Sequence, residues 1–322
     1  MTNKLEFTSI LADFIVKYLE EKRSLGYVYD TEALLLKRFD NYCNKKKLDS
    51  LTITKKFLES WMVRSNTEGA TYQTKRISVV RGLILYMNAF GHKSYIPHHF
   101  SKVDVHIPHI LSRDEVIEFF KTLDSLKTLK QYQRFLNEYK ILFRIIFCCG
   151  LRNSEVCNLK MSNVNLAEGK LSIEQAKNQK DRIVYLSDDL IDLCKDYKAY
   201  IIKFLSYEPS YFFPSSNFNK PFSNTSIDRK FNEIWCKTAY SNSCDHKPTV
   251  QDLRHSFVVH RMNLWMEQGI NLNHMLPYLS KHLGHKSINE TFYYYHQTEE
   301  AFRIIAQKDT ISKQVIPEVY DE

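Results

Sequence analysis

The chain has 322 residues, 43% of them hydrophobic and 25% charged, a balance that points to a globular protein and excludes the fibrous and wholly disordered classes. It holds no run of about 18 apolar residues and no apolar core near Met1, so neither a membrane span nor a secretory leader is expected, and a soluble cytosolic protein is. The net charge of +8 is unevenly laid out: residues 1–106 hold 17 Lys and Arg against 11 Asp and Glu, residues 107–298 hold 25 against 20, and residues 299–322 hold 3 against 6. Two basic bodies followed by an acidic tail suit a polyanion as partner.

The elements follow in chain order. Ile10, Leu11, Phe14, Ile15, Tyr18 and Leu19 recur three and four apart, which predicts a helix over 7–25 ending at Gly26. A second helix should begin at Asp30-Thr31, with Leu34, Leu35, Phe39 and Tyr42 on one face, and a third near Thr54. A fourth, over about 70–90, carries Ile77, Val80, Leu83, Ile84 and Met87 as its apolar stripe. Lys75, Arg76 and Arg81, with Thr71 and Thr74, supply phosphate-binding chemistry on that helix. Residues 1–95 thus form a four-helix unit.

Residues 96–110 break the periodicity and read as a linker. Four histidines fall between His98 and His109, but no i, i+4 ligand pair and no accompanying carboxylate or cysteine set is visible, so no metal is expected there. The seven cysteines (43, 148, 149, 157, 194, 236 and 244) form no C-x-x-C pair and read as reduced thiols.

A second domain, 111–296, opens with a capping box, Ser112 and Glu115, heading a helix to about 124. A largely apolar helix over 132–149 should be buried, with Gly150 stopping it. Arg152 follows at once, ahead of a short helix through Leu159. The only convincing strands lie at 164–166, 170–173 and 182–186, with Gln175 to Asp181 as the tip of a hairpin. Helices return at 188–204, 225–239, 250–267, 272–283 and 287–296; residues 297–322 form a last helix and a polar tail. The fold expected is mainly α with one small antiparallel sheet.

Three stretches concentrate the chemistry: Gly150-Leu151-Arg152-Asn153-Ser154-Glu155, Gln251-Asp252-Leu253-Arg254-His255, and Leu283-Gly284-His285 followed by Tyr293-Tyr294-Tyr295-His296. In this order they resemble the tyrosine recombinase (phage integrase) family, and the likeness spans nearly the whole chain. The resemblance implies a helical core-binding domain that clamps DNA, followed by a catalytic domain. It also implies strand cleavage through a 3′-phosphotyrosyl bond, with no metal or nucleotide cofactor.

Residue by residue, the resemblance casts Arg152 and Arg254 as clamps on the non-bridging oxygens, and an arginine fork suits that work. Lys177 on the hairpin tip aligns with the lysine that protonates the leaving 5′ oxygen; Lys180 is the alternative, and Ala176 and Asn178 replace the usual glycines. Tyr294, nine residues beyond His285, is the nucleophile. His285 donates to a non-bridging oxygen and buttresses the tyrosine. Gln251 is the departure, since the family usually has histidine there and an amide cannot take the tyrosine's proton.

The partners so implied are double-stranded recombination sites, three further copies of the chain engaged through the C-terminal tail, and an accessory DNA-bending factor, all in the bacterial cytosol or nucleoid. A non-catalytic DNA-binding protein of the same fold, and strand relaxation of the topoisomerase IB kind, are the alternatives.

Overall fold

Local capping and a few long-range polar contacts decide where the helices of the first unit begin. In this computed structural model, residues 5–98, 108–174, 181–244, 246–285 and 287–292 are described. Contacts divide the chain into two units, Met1–His106 and Ile107–Glu322.

The first unit is built from α1 (Ala12–Ser24), α2 (Asp30–Lys45), α3 (Lys55–Met62) and α4 (Ala70–Ala89). The first helix starts five residues later than its apolar periodicity suggested. Asp40 on α2 is the reason: its buried carboxylate accepts from the backbone N–H of Thr8 at 3.0 Å and of Ser9 at 2.9 Å, holding that segment out of the helix. Thr54 caps α3 by accepting from the N–H of Phe57 at 3.2 Å. The four helices close over Leu36, Phe39, Leu58, Val80, Leu83, Ile84 and Met87.

In the second unit Ser112 and Glu115 form the expected reciprocal cap of α5 (Arg113–Ser125). The apolar α6 (Gln133–Cys149) is the centre of the core, with Leu142, Phe143, Ile145 and Ile146 fully buried. It stops at Gly150, whose φ of +62° only glycine takes without strain; a Cβ there would also lie 2.4 Å from the Phe257 ring. After α7 (Asn153–Cys157) come β1 (Val164–Asn165), β2 (Lys170–Ile173) and β3 (Arg182–Tyr185). They make one antiparallel sheet in the order β1-β2-β3, pairing Leu171 with Val184.

Then follow α8 (Asp188–Leu205), α9 (Asn224–Trp235), α10 (Val250–Glu267), α11 (Leu272–Leu283) and α12 (Ile288–Phe292). The helix expected over 225–239 ends at Trp235, and a separate 3₁₀ turn, Ala239–Asn242, takes up the chain beyond it. Phe257, Val258 and Met262 of α10 pack on Leu276, Leu279 and Leu283 of α11, a second small core that fixes the end of α11 against α10. The protein is thus mostly helical with a small three-stranded sheet.

Candidate active site

The site assembles where α11 ends. The last carbonyls of any helix lack partners within it. Here three successive carbonyls each receive an arginine. Arg182 Nε donates to His282 O at 2.6 Å, Arg254 Nη2 to Leu283 O at 2.8 Å, and Arg152 Nη2 to Gly284 O at 3.4 Å. The negative end of the helix dipole adds to the attraction. Gly284 turns the chain in the left-handed region (φ +65°), with the Arg182 guanidinium packed against its Cα, so a side chain there would press on that arginine.

Behind the three arginines sits one buried carboxylate. Glu155 binds Arg182 as a two-pronged pair, at 3.0 Å to Oε1 and 2.7 Å to Oε2. It takes Arg152 Nη1 at 2.8 Å, and Arg254 Nη1 stands 3.8 Å away. Oε2 also accepts from the Arg152 backbone N–H at 2.9 Å, which caps α7. Burial alone would raise the Glu155 pKa. The bonds and charge of Arg182, then the Arg152 N–H and Arg254, outweigh it and bring the group down to about 2. Glu155 is therefore a fixed anion, and three guanidiniums face it. The guanidiniums are held rigidly, because Arg254 and Arg182 side chains are only 2% and 6% exposed.

Arg152, Gln251, Arg254 and His285 line one open cavity of about 460 Å³, with His255, Ser287, Asn289 and Glu290 completing its wall. Gln251 is the second residue of α10 and Arg254 lies one turn on, so the positive end of that helix is also at the cavity. Arg182 is not among the lining residues; it binds both oxygens of Glu155 and orients them.

His285 differs from the expectation. Its Nε2 accepts from Arg254 Nη2 at 3.0 Å, and Nδ1 lies 2.7 Å from Thr291 Oγ1, which fits a neutral ring protonated on Nδ1. Burial, then the charges of Arg254 and Arg152, push its pKa down to about 3. A ring so held has no N–H aimed at an incoming phosphate through Nε2. His282 donates through Nε2 to Cys149 O at 2.9 Å and stacks on Phe257, a packing role.

In the first unit the three basic candidates part company. Arg76 is a correction. Its guanidinium is bound by both oxygens of Glu68 at 2.8 Å, donates to Trp61 O and lies 4.6 Å over the Trp61 ring, so it braces α3 against α4 rather than facing a polyanion. Arg81 ties α4 to the chain beyond it through Pro97 O at 2.6 Å. Lys75 is exposed and pairs with Glu32 at 3.2 Å. Lys177, Lys180 and Tyr294 lie outside the described residues.

Sequence reasoning missed Arg182 and Thr291, and it weighed Glu155 only as a partner of Arg152. Arg182 opens β3, directly after the hairpin tip. Thr291 precedes the tyrosines by two residues, and only its contact with His285 marks it.

The family model described as the phage integrase family matches residues 110–301. A tyrosine recombinase of Agathobacter rectalis is 29% identical over 233 residues, 67% of this chain and 71% of that protein. Among solved structures, XerH site-specific recombinase in a post-cleavage complex with a palindromic difH substrate is 21% identical, covers 87% of this chain and 79% of that one, and superposes with a TM-score of 0.62. A lambda integrase tetramer bound to a Holliday junction is 18% identical, covering 87% and 78%, with a TM-score of 0.58. These structural likenesses carry the fold, and the family model covers more than half of the chain. The chain belongs to the phage integrase family and is a tyrosine-type site-specific recombinase.

Proposed function

We propose that the cavity holds a scissile phosphodiester, with Arg152 and Arg254 on its two non-bridging oxygens. The observation that carries this is the arginine cluster: three buried or half-buried guanidiniums gathered on Glu155, two of which, Arg152 and Arg254, line the cavity.

In the cleavage step the Tyr294 oxygen attacks phosphorus, a 3′-phosphotyrosyl bond forms and the P–O5′ bond breaks. Lys177 gives a proton to the departing 5′ oxygen. Thr291, three positions before Tyr294 in the sequence, is hydrogen-bonded to His285, which lines the cavity. The tyrosine's proton cannot go to the Gln251 amide; it leaves to water or to His285. An anionic phosphate beside Arg254 offsets the charge that depresses the His285 pKa, so the ring becomes a better acceptor once substrate is bound.

The substrate is double-stranded DNA at recombination sites, as for the relatives whose complexes contain DNA. Four copies act together through the C-terminal segment, and the first unit clamps the duplex with Lys75 and other exposed bases. An accessory DNA-bending factor belongs to the same reading, as does action in the cytosol.

A nicked duplex that loses a short 5′-OH strand on cleavage tests this. Wild-type protein should become covalently attached to the 3′ end, and Tyr294→Phe should form no adduct while still binding the duplex. Adduct formed by Tyr294→Phe, and lost in Tyr293→Phe or Tyr295→Phe, would overturn the assignment of the nucleophile.

A further inference from the structure

Near the start of α10, outside the lining of the cavity, the fold brings Cys244 onto His109 and Glu115, more than 120 residues before it. His109 Nε2 lies 2.9 Å from Glu115 Oε1. Cys244 Sγ lies 3.9 Å from the same nitrogen and 3.8 Å from the same oxygen. Both partners face one ring atom, so this is not a relay in which an acid holds one nitrogen while the other serves a thiol. The three donor atoms lie within 4.8 Å of one another, close enough to share one ion.

We infer that His109, Glu115 and Cys244 form a site for a zinc-like divalent ion. Bond lengths of about 2.0–2.3 Å to N, O and S in a tetrahedron place ligand atoms about 3.3–3.6 Å apart. The observed edges bracket that range, so shifts of a few tenths of an ångström would seat the ion. Neutral imidazole, thiolate and carboxylate also match the charge of a dication, and N/O/S donors suit zinc over magnesium or calcium.

Glu115 is already held for the task. It is mostly buried, and its other oxygen accepts from the Ser112 N–H at 2.7 Å in the cap of α5, so the oxygen facing His109 and Cys244 is aimed without further ordering. In the metal-free state the hydrogen bond to Glu115 raises the His109 pKa against the effect of burial. The ligating forms are neutral imidazole and thiolate, so affinity should rise with pH.

The site would join three segments: the end of the interdomain stretch, the start of α5, and the loop before α10. Cys244 lies five positions before Thr249, which caps the helix carrying Gln251 and Arg254. A metal here would brace that helix without touching DNA.

The test uses untagged, full-length protein stripped with a chelator and titrated with Co²⁺. One ion per chain should bind with a thiolate-to-cobalt charge-transfer band, and Zn²⁺ should displace it. Cys244→Ser should abolish the band, while Cys148→Ser and Cys236→Ser, the two exposed thiols, should keep it. His109→Gln should weaken binding by about tenfold or more. Zn²⁺ should raise the Tm of wild-type protein and not that of Cys244→Ser. Absence of the band, or a band that survives Cys244→Ser, would overturn the inference.

Discussion

Two arginine–glutamate contacts, one in each unit, look alike in sequence and differ in kind. Arg76 meets Glu68 one to one: each oxygen of the acid has a guanidinium hydrogen, and the ring of Trp61 covers the pair. Glu155 meets three arginines, and Arg152 and Arg254 keep faces toward an open cavity. The first arrangement is neutral and complete, so it serves the fold. The second sets two guanidiniums at fixed positions on a cavity wall, which is what stabilisation of a phosphoryl transition state requires.

Removing the hub should break the second arrangement most severely. Glu155→Gln leaves three arginines without their counter-charge, and a broken buried ion pair costs about 3–5 kcal/mol; chemical denaturation measures it. The pH dependence follows from the same group. Its folded pKa, about 2, lies below the ordinary 4.5, so the stability it contributes is present above pH 4.5 and is lost as pH falls toward 2. His285, held down to about 3 from 6.5, adds a loss of the same sign, because the unfolded chain takes up its proton first as pH drops below 6.5. Glu155→Gln should flatten the lower part of this acid limb and leave the upper part.

Arg152→Ala or Arg254→Ala should cost about 3 kcal/mol of transition-state stabilisation, a hundredfold or greater fall in single-turnover cleavage. A loss of tenfold or less would make either arginine a structural residue like Arg76. Arg76→Ala is the converse control. It should lower the stability of the first unit by about 2 kcal/mol, the worth of a charged hydrogen-bonded contact, and change cleavage at saturating DNA by less than tenfold.

These contrasts also show what the sequence could and could not convey. Helix periods, the Ser112 cap and the order of the motif arginines are local, and they were legible. Arg182 reaches Glu155 across 27 residues and His282 across 100, and no local pattern records such a meeting. His109 and Cys244 are 135 apart. Arg76 was misassigned although a signal existed: it sits four residues before Val80 and seven before Leu83, on the buried stripe of its own helix. Asp40 likewise shortened α1 from 32 residues away.

Gln251→His should have the smallest effect. It should leave the cleavage rate unchanged or raise it and add a titration near pH 6.5, since imidazole can take the tyrosine's proton and an amide cannot. Cleavage followed from pH 6 to 9 would show it, and a large loss would mean that glutamine has a fitted role of its own.

The central claim is that Arg152 and Arg254 face the cavity to meet phosphate charge. Single-turnover cleavage of a duplex whose scissile phosphate carries a methyl group in place of one non-bridging oxygen tests it most directly. With the charge gone, the deficit of Arg152→Ala or Arg254→Ala relative to wild type should shrink by about tenfold or more from its hundredfold size. If both deficits stay the same size on the neutral substrate, the cluster is not there to hold the phosphate.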